Sequence, residues 1–180
     1  STSTDINRYD RLTDPAGSGL KSAEWYYGPQ KRLLGIYSLE KENVFSNTDF
    51  KLDAGYQNIE ESRHNRNFGN YNLQNRVEKV AVYSLAVNFE TKLIKGNLYY
   101  GIENYYDDLK STAHKNNINT GVDVPLDTRY PNGKNNMMRN DVYVSYSSKR
   151  DEATNFSMGA RVGYAQLEST IADNTIFPLP

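Results

Sequence analysis

The chain has no cysteine among its 180 residues, which excludes disulfides, thiolate metal sites and cysteine nucleophiles together. It also lacks any apolar run approaching the ~18 residues of a membrane helix. The first residues, Ser1-Thr2-Ser3-Thr4-Asp5, carry neither the basic stretch nor the apolar core of a secretory leader. If this chain meets a membrane, it does so as β-structure. Hydrophobic residues are scarce at 37%, and the mean hydropathy is -0.78. An excess of charge of one sign is missing too, since 21 Lys and Arg stand against 22 Asp and Glu. That balance removes the whole-chain electrostatic case for nucleic acid.

What is present argues against disorder. Disordered chains are poor in aromatics and carry high net charge, whereas aromatics here reach 12%, and 15 of the 22 are tyrosine. Asparagine occurs 21 times, favouring turns and polar connections over helix interiors. The expectation is strands joined by polar connections.

Six stretches alternate apolar and polar residues at period two, the mark of a strand whose faces see different surroundings. They fall at about 30–40, 48–62, 77–90, 96–106, 139–149 and 155–168. In the second, Phe50, Leu52, Ala54 and Tyr56 face one way, and Lys51, Asp53, Gly55 and Gln57 the other. The last opposes Phe156, Met158, Ala160, Val162 and Tyr164 to Ser157, Gly159, Arg161, Gly163 and Ala165. The first is less clean, because Leu34 and Ile36 oppose Leu33, Tyr37 and Leu39.

Connection lengths alternate as well. Residues 41–47, 91–95 and 150–154 are short, while 7–29, 63–76 and 107–137 are long and rich in Asn, Gly, Asp and Pro. In an up-and-down meander every second connection lies at the same end, so one end is tightly turned and the other heavily looped. Outer-membrane barrels have that asymmetry, and Greek-key sandwiches have no reason for it. Phe45, Phe50, Phe89 and Phe156 lie near the short turns, with Trp25, Tyr26, Tyr27, Tyr105 and Tyr106 at the opposite end. Two aromatic girdles around an aliphatic band suit a membrane-spanning barrel. Lys51, Asp53, Gln57, Asn88, Asn97, Glu103 and Arg161 then face a wet or plugged lumen, because a dry interior would not hold them. Closure takes at least about eight strands, more than the six expected.

Two segments carry a resemblance: Ser1-Thr2-Ser3-Thr4-Asp5-Ile6-Asn7-Arg8-Tyr9-Asp10-Arg11-Leu12-Thr13 and Ala23-Glu24-Trp25-Tyr26-Tyr27-Gly28-Pro29-Gln30-Lys31-Arg32. Together with Ala54-Gly55-Tyr56-Gln57-Asn58-Ile59-Glu60-Glu61-Ser62-Arg63, Val82-Tyr83-Ser84-Leu85 and Thr128-Arg129-Tyr130-Pro131-Asn132-Gly133, they resemble the barrel domain of TonB-dependent outer-membrane receptors. The likeness covers essentially the whole chain and is nearest to the branch of haem, haemoglobin or transferrin-type iron-source receptors. It implies an all-β antiparallel meander, with residues 1–180 part of a 22-stranded transmembrane β-barrel. The plug domain and the TonB-contacting segment would lie outside this chain. It also implies a Gram-negative outer-membrane location, lipid, plug and TonB as partners, and TonB-dependent uptake of a scarce nutrient such as haem or another iron complex. The motif pair and loop histidine of the haem receptors are not found, so no haem-ligand role passes to any residue here.

Candidate ligand-binding residues are those expected in the outer loops: Tyr9, Arg11, Trp25, Tyr26, Tyr27, His64, His114 and Tyr130. Aromatic anchors beside a charged partner suit recognition, although girdle and loop-packing roles explain the same residues. The two histidines could ligate iron or haem, or simply be solvated. Asp123 and Asp127 do not match calcium-loop spacing. Gly-rich phosphate motifs and a nucleophile elbow are absent, so neither catalysis nor a resident cofactor or metal is expected. Two other readings remain open: a soluble antiparallel carbohydrate-binding module whose two sheets pack apolar faces together, and a passive porin-like channel.

Overall fold

A computed structural model describes residues 2–13, 19–149 and 154–176. The described residues form one antiparallel sheet of eight strands: β1 (Thr2–Asn7), β2 (Ser22–Phe45), β3 (Thr48–Asn67), β4 (Asn72–Leu93), β5 (Gly96–Asn117), β6 (Asp123–Pro125), β7 (Asn135–Lys149) and β8 (Asn155–Ser169). They run as a meander in the order β1, β2, β3, β4, β5, β7, β8, with β6 extending the sheet beside the far end of β5. Each strand touches only its sheet neighbours, and among the described residues no hydrophobic side chain is buried. The sheet is therefore a single layer. The two-sheet packing required by a soluble sandwich is not found among the described residues.

All six expected strands are present, and most are longer than their apolar pattern. At ~3.3 Å per residue, the 24-residue β2 is about 80 Å long. The looped end shrinks accordingly. Residues 63–67 and 72–76 belong to β3 and β4, leaving 68–71 as the connection, while 22–29 belongs to β2 and 107–117 to β5. The ladder is made by main-chain groups, so it continues where side chains are polar on both faces. Polar cross-strand pairs help it do so: Asn117 Nδ2 donates to Asn72 Oδ1 at 3.3 Å, and Asn116 Nδ2 to Asp123 Oδ1 at 2.8 Å. The third expected short turn, 150–154, lies almost wholly outside the described residues.

Register fixes the faces. Phe50 pairs with Phe89, which pairs with Tyr100; Leu52 with Val87, Ile102, Val142 and Val162 in turn; and Tyr56 with Tyr83, which pairs with Tyr106. All these lie on one face, the apolar face. Ring centroids along the lower row are 5.4 Å (Phe50 to Phe89) and 5.2 Å (Phe89 to Tyr100) apart, and along the upper row 5.1 Å (Tyr56 to Tyr83) and 6.2 Å (Tyr83 to Tyr106). An aliphatic band thus sits between two aromatic rows. Its polar exceptions satisfy each other, since Asn104 Nδ2 donates to Asn140 Oδ1 at 2.6 Å across β5 and β7.

The upper row differs from the sequence expectation. Tyr106 belongs to it, but Tyr105 points to the opposite face, where Arg139 lies 4.6 Å over its ring. Trp25, Tyr26 and Tyr27 lie well beyond the row, near the far end of β2.

The other face is polar along the lower half of the strands. Arg161 pairs with Glu103 at 2.5 Å and Asp141 at 3.1 Å, Lys51 with Glu40 at 2.8 Å, and Lys92 with Asp49 at 2.8 Å. Gly101 serves this face by having no side chain. It lies between Asn88 and Tyr143 in register, and Tyr143 Oη donates over it to Asn88 Oδ1 at 2.7 Å. A Cβ there would collide with the Val87 carbonyl oxygen and come 2.9 Å from the Tyr143 ring and 3.0 Å from Asn88 Oδ1.

Candidate functional site

The features with chemical potential gather on the polar face at the looped end. The segment after β1 makes a single 3-10 turn, Tyr9–Arg11, and returns to β2 through main-chain bonds from Lys21 and Ser22 to the Leu12 carbonyl. This return sets Arg8 and Arg11 over the Trp25 ring, at 5.5 and 5.7 Å from its centroid, distances at which cation and ring attract. Trp25 also meets Tyr27 edge-on at 4.9 Å. Arg8 binds Asp10 through two nitrogens, at 2.7 and 2.5 Å, and this contact holds the Asp10 carboxyl below the usual carboxylate range. A cleft of about 290 Å³ opens between Asp10, Arg11, Lys21 and Trp25.

Beside it lies a smaller cleft of about 120 Å³, lined by Tyr27, Glu61, Ser62, Arg63, Glu78 and Arg129. Arg129 arrives from the connection between β6 and β7. That connection is held down by Arg76 Nη2 donating to Asp127 Oδ1 at 2.9 Å and by the Tyr130 amide donating to Ser111 Oγ at 3.4 Å. Burial pushes the Glu78 carboxyl above the ordinary glutamate range, and Arg129 and Arg63 only partly offset it. Two guanidiniums and two carboxylates thus line one cleft without a direct ion pair between them. One register step below, Ile59, Val80 and Leu109 form an aliphatic ledge across β3, β4 and β5. A charged cleft over an apolar ledge suits an amphipathic ligand, with its anionic group at the arginines and its apolar body on the ledge.

The expected site residues separate accordingly. Arg11, Trp25 and Tyr27 come together at this mouth, and Tyr130 lies near it with Arg129 5.6 Å over its ring. Tyr9 is 73% exposed. His64 and His114 are not in loops. They belong to β3 and β5, and Trp25, Tyr26 and Tyr27 to β2, because the strands run past their apolar stretches.

Tyr26 and His64 lie on the apolar-face side, stacked at 4.7 Å. His64 Nδ1 donates to Asn75 Oδ1 at 2.6 Å, while its Nε2 is buried without a hydrogen-bond partner. Among the described residues no cluster of His, Cys, Asp and Glu could hold a metal ion. Sequence reasoning missed Arg8, Arg63, Glu78 and Arg129. Arg63 could have been found by extending the alternation of β3 past residue 62, whereas Arg129 is brought in by loop folding that no periodicity announces.

Neither the protein-family models nor the curated proteins contain a match to this chain.

Proposed function

We propose that the chain is a wall segment of a TonB-dependent outer-membrane receptor, part of a 22-stranded barrel that takes up a scarce nutrient, haem or another iron complex. The observation that carries this reading is the aliphatic band between two aromatic rows on one face of a single-layer sheet. A membrane β-strand needs about 9–11 residues. In β4 the stretch from Leu93 at the short turn to Tyr83 in the upper row supplies that length. The remainder of β4, Asn72 to Val82, would stand above the bilayer and carry the mouth.

Two further features support the reading. Among the described residues the lower half of β2 has no partner on its outer side, and all of β8 is exposed; long unpaired apolar edges invite further strands. Leu33, Leu34, Ile36, Tyr37 and Leu39 lie along the first edge, and Met158, Val162, Tyr164 and Leu167 along β8. The salt-bridged polar face would line the lumen and meet the plug. Arg11, Trp25, Tyr27, Arg63 and Arg129 would contact ligand at the mouth.

Cells expressing the full-length protein provide the test. The reading expects it in the outer-membrane fraction, with uptake of haem or a ferric complex abolished by a protonophore or by loss of TonB. Recovery in the soluble fraction refutes it. Uptake that persists without the proton gradient selects the passive channel instead.

A further inference from the structure

The apolar face carries a second pattern, above the upper tyrosine row. Two register steps beyond Tyr56, Tyr83 and Tyr106, about 13 Å along the strands, Lys31 pairs with Glu60, Glu60 with Lys79, and Lys79 with Lys110. Lys134, just before β7, continues the row. Its ammonium is 2.8 Å from Glu168, which shares the apolar face with Asn136.

The local carboxylates do not balance this row. Glu60 is shared by Lys31 and Lys79, each at 3.0 Å, and Glu168 serves Lys134. Asp108, one step lower, is the remaining acid nearby. Lys79 and Lys110 stand directly opposite each other, and among the described residues no carboxylate lies within ion-pair distance of Lys110. Like charges facing each other across strands destabilise a sheet unless an anion lies between them. All four lysines are exposed, and their long stems let the ammonium groups reach down the sheet towards an interface.

We propose that Lys31, Lys79, Lys110 and Lys134 form a basic belt that docks the phosphate groups of anionic lipid headgroups at the looped-end membrane surface. The proposal rests on the membrane reading above, which places the tyrosine row at the headgroup boundary. The lysine row continues that surface outward with the charge that lipid phosphates lack. The row is specific to this level. The next two steps up are neutral or weakly polar, with Ser62, Val77 and Thr112, then His64, Asn75 and His114.

The test uses the full-length protein in neutral detergent, titrated with phosphatidic acid and separately with phosphatidylcholine, with bound lipid read by native mass spectrometry. Phosphatidic acid is expected to be retained in preference. The double variant Lys79→Gln/Lys110→Gln should weaken its binding about 30-fold, from about fivefold per lysine near an anionic surface. Lys79→Arg/Lys110→Arg should restore it. Lys95→Gln, which removes a charge at the short-turn end, should leave it unchanged.

Equal retention of phosphatidic acid by the parent and the folded double variant overturns the belt. So does competition by inorganic phosphate as effective as that by the lipid, which would identify a soluble-anion site. A protein that fractionates with the membrane yet shows no lipid preference loses only this proposal; one recovered in the soluble fraction loses the membrane reading as well.

Discussion

Ile102 is the position at which the membrane reading is most exposed to refutation. It lies near the middle of the Gly96–Tyr106 stretch of β5, between Val87 and Val142 in register on the apolar face, and is 52% exposed. Tyr100 is one register step below it, and Tyr106 two steps above, about 7 and 13 Å along the strand. Arginine at this position lies inside the aliphatic band and can reach only the nearer aromatic row. The midplane penalty for Arg or Lys on a lipid-facing strand is about 2–4 kcal/mol. Partial snorkelling to the Tyr100 level brings the expectation for Ile102→Arg to about 2–3 kcal/mol.

The matched control is Ser145→Arg, on the polar face opposite Tyr99 and Gly159, where the new side chain enters the proposed lumen. It should cost no more than about 0.5 kcal/mol, as for an ordinary surface substitution. Urea unfolding of the full-length protein in lipid vesicles, followed by tryptophan fluorescence, measures both. A soluble sheet predicts a different pattern, because a half-exposed isoleucine facing water can become arginine at almost no cost. If both variants unfold within about 0.5 kcal/mol of the parent, the assignment of this face to lipid is wrong.

The remaining predictions concern the polar face and the mouth. Gly101→Val should press on the Val87 carbonyl of the neighbouring strand, force Tyr143 away from Asn88 and destabilise the sheet by about 1–3 kcal/mol, read in the same unfolding assay. Asn104→Ala should cost about 1–3 kcal/mol by leaving Asn140 unsatisfied inside the apolar band; a neutral effect would place that pair in water. Arg63→Ala and Arg129→Ala should each weaken binding of an anionic ligand about tenfold or more, as for a lost charged hydrogen bond, while Lys95→Gln leaves it unchanged in the same titration. Glu78 binds its proton more tightly folded than unfolded, so its contribution to stability falls as pH rises from near 4.5 through its raised folded value. Glu78→Gln should remove that fall and leave the variant more stable than the parent at neutral pH, as melting profiles taken across the acid range would show.

The sidedness of the sheet was legible in the sequence because period two survives along β3 and β8, where Phe50 to Tyr56 and Phe156 to Tyr164 alternate cleanly with polar residues. The rows that cross the strands were not. Assigning the upper row by nearness to loops captured Tyr106, missed Tyr56 and Tyr83, and wrongly included Tyr105 and the more distant Trp25, Tyr26 and Tyr27, because a row is a property of register rather than of position along one strand. The lysine row and the Arg63, Glu78 and Arg129 cleft were hidden for the same reason, since their members are far apart in sequence.

Register itself was only partly out of reach. Between β4 and β5 it runs without a shift from Leu93 opposite Gly96 to Asn72 opposite Asn117. The two-residue turn Ile94–Lys95 thus aligns Tyr83 with Tyr106 and Lys79 with Lys110 once it is recognised. Between β2 and β3 it shifts three times, including near Asn43, which takes a left-handed φ of 51°, and around Gly28–Pro29. Such bulges move every later residue by a step. Counting back from the β2–β3 hairpin therefore misplaces Tyr26 and Tyr27, the one meeting His64 and the other entering the charged cleft. The part of the candidate site beyond those bulges could be located only by the folded chain.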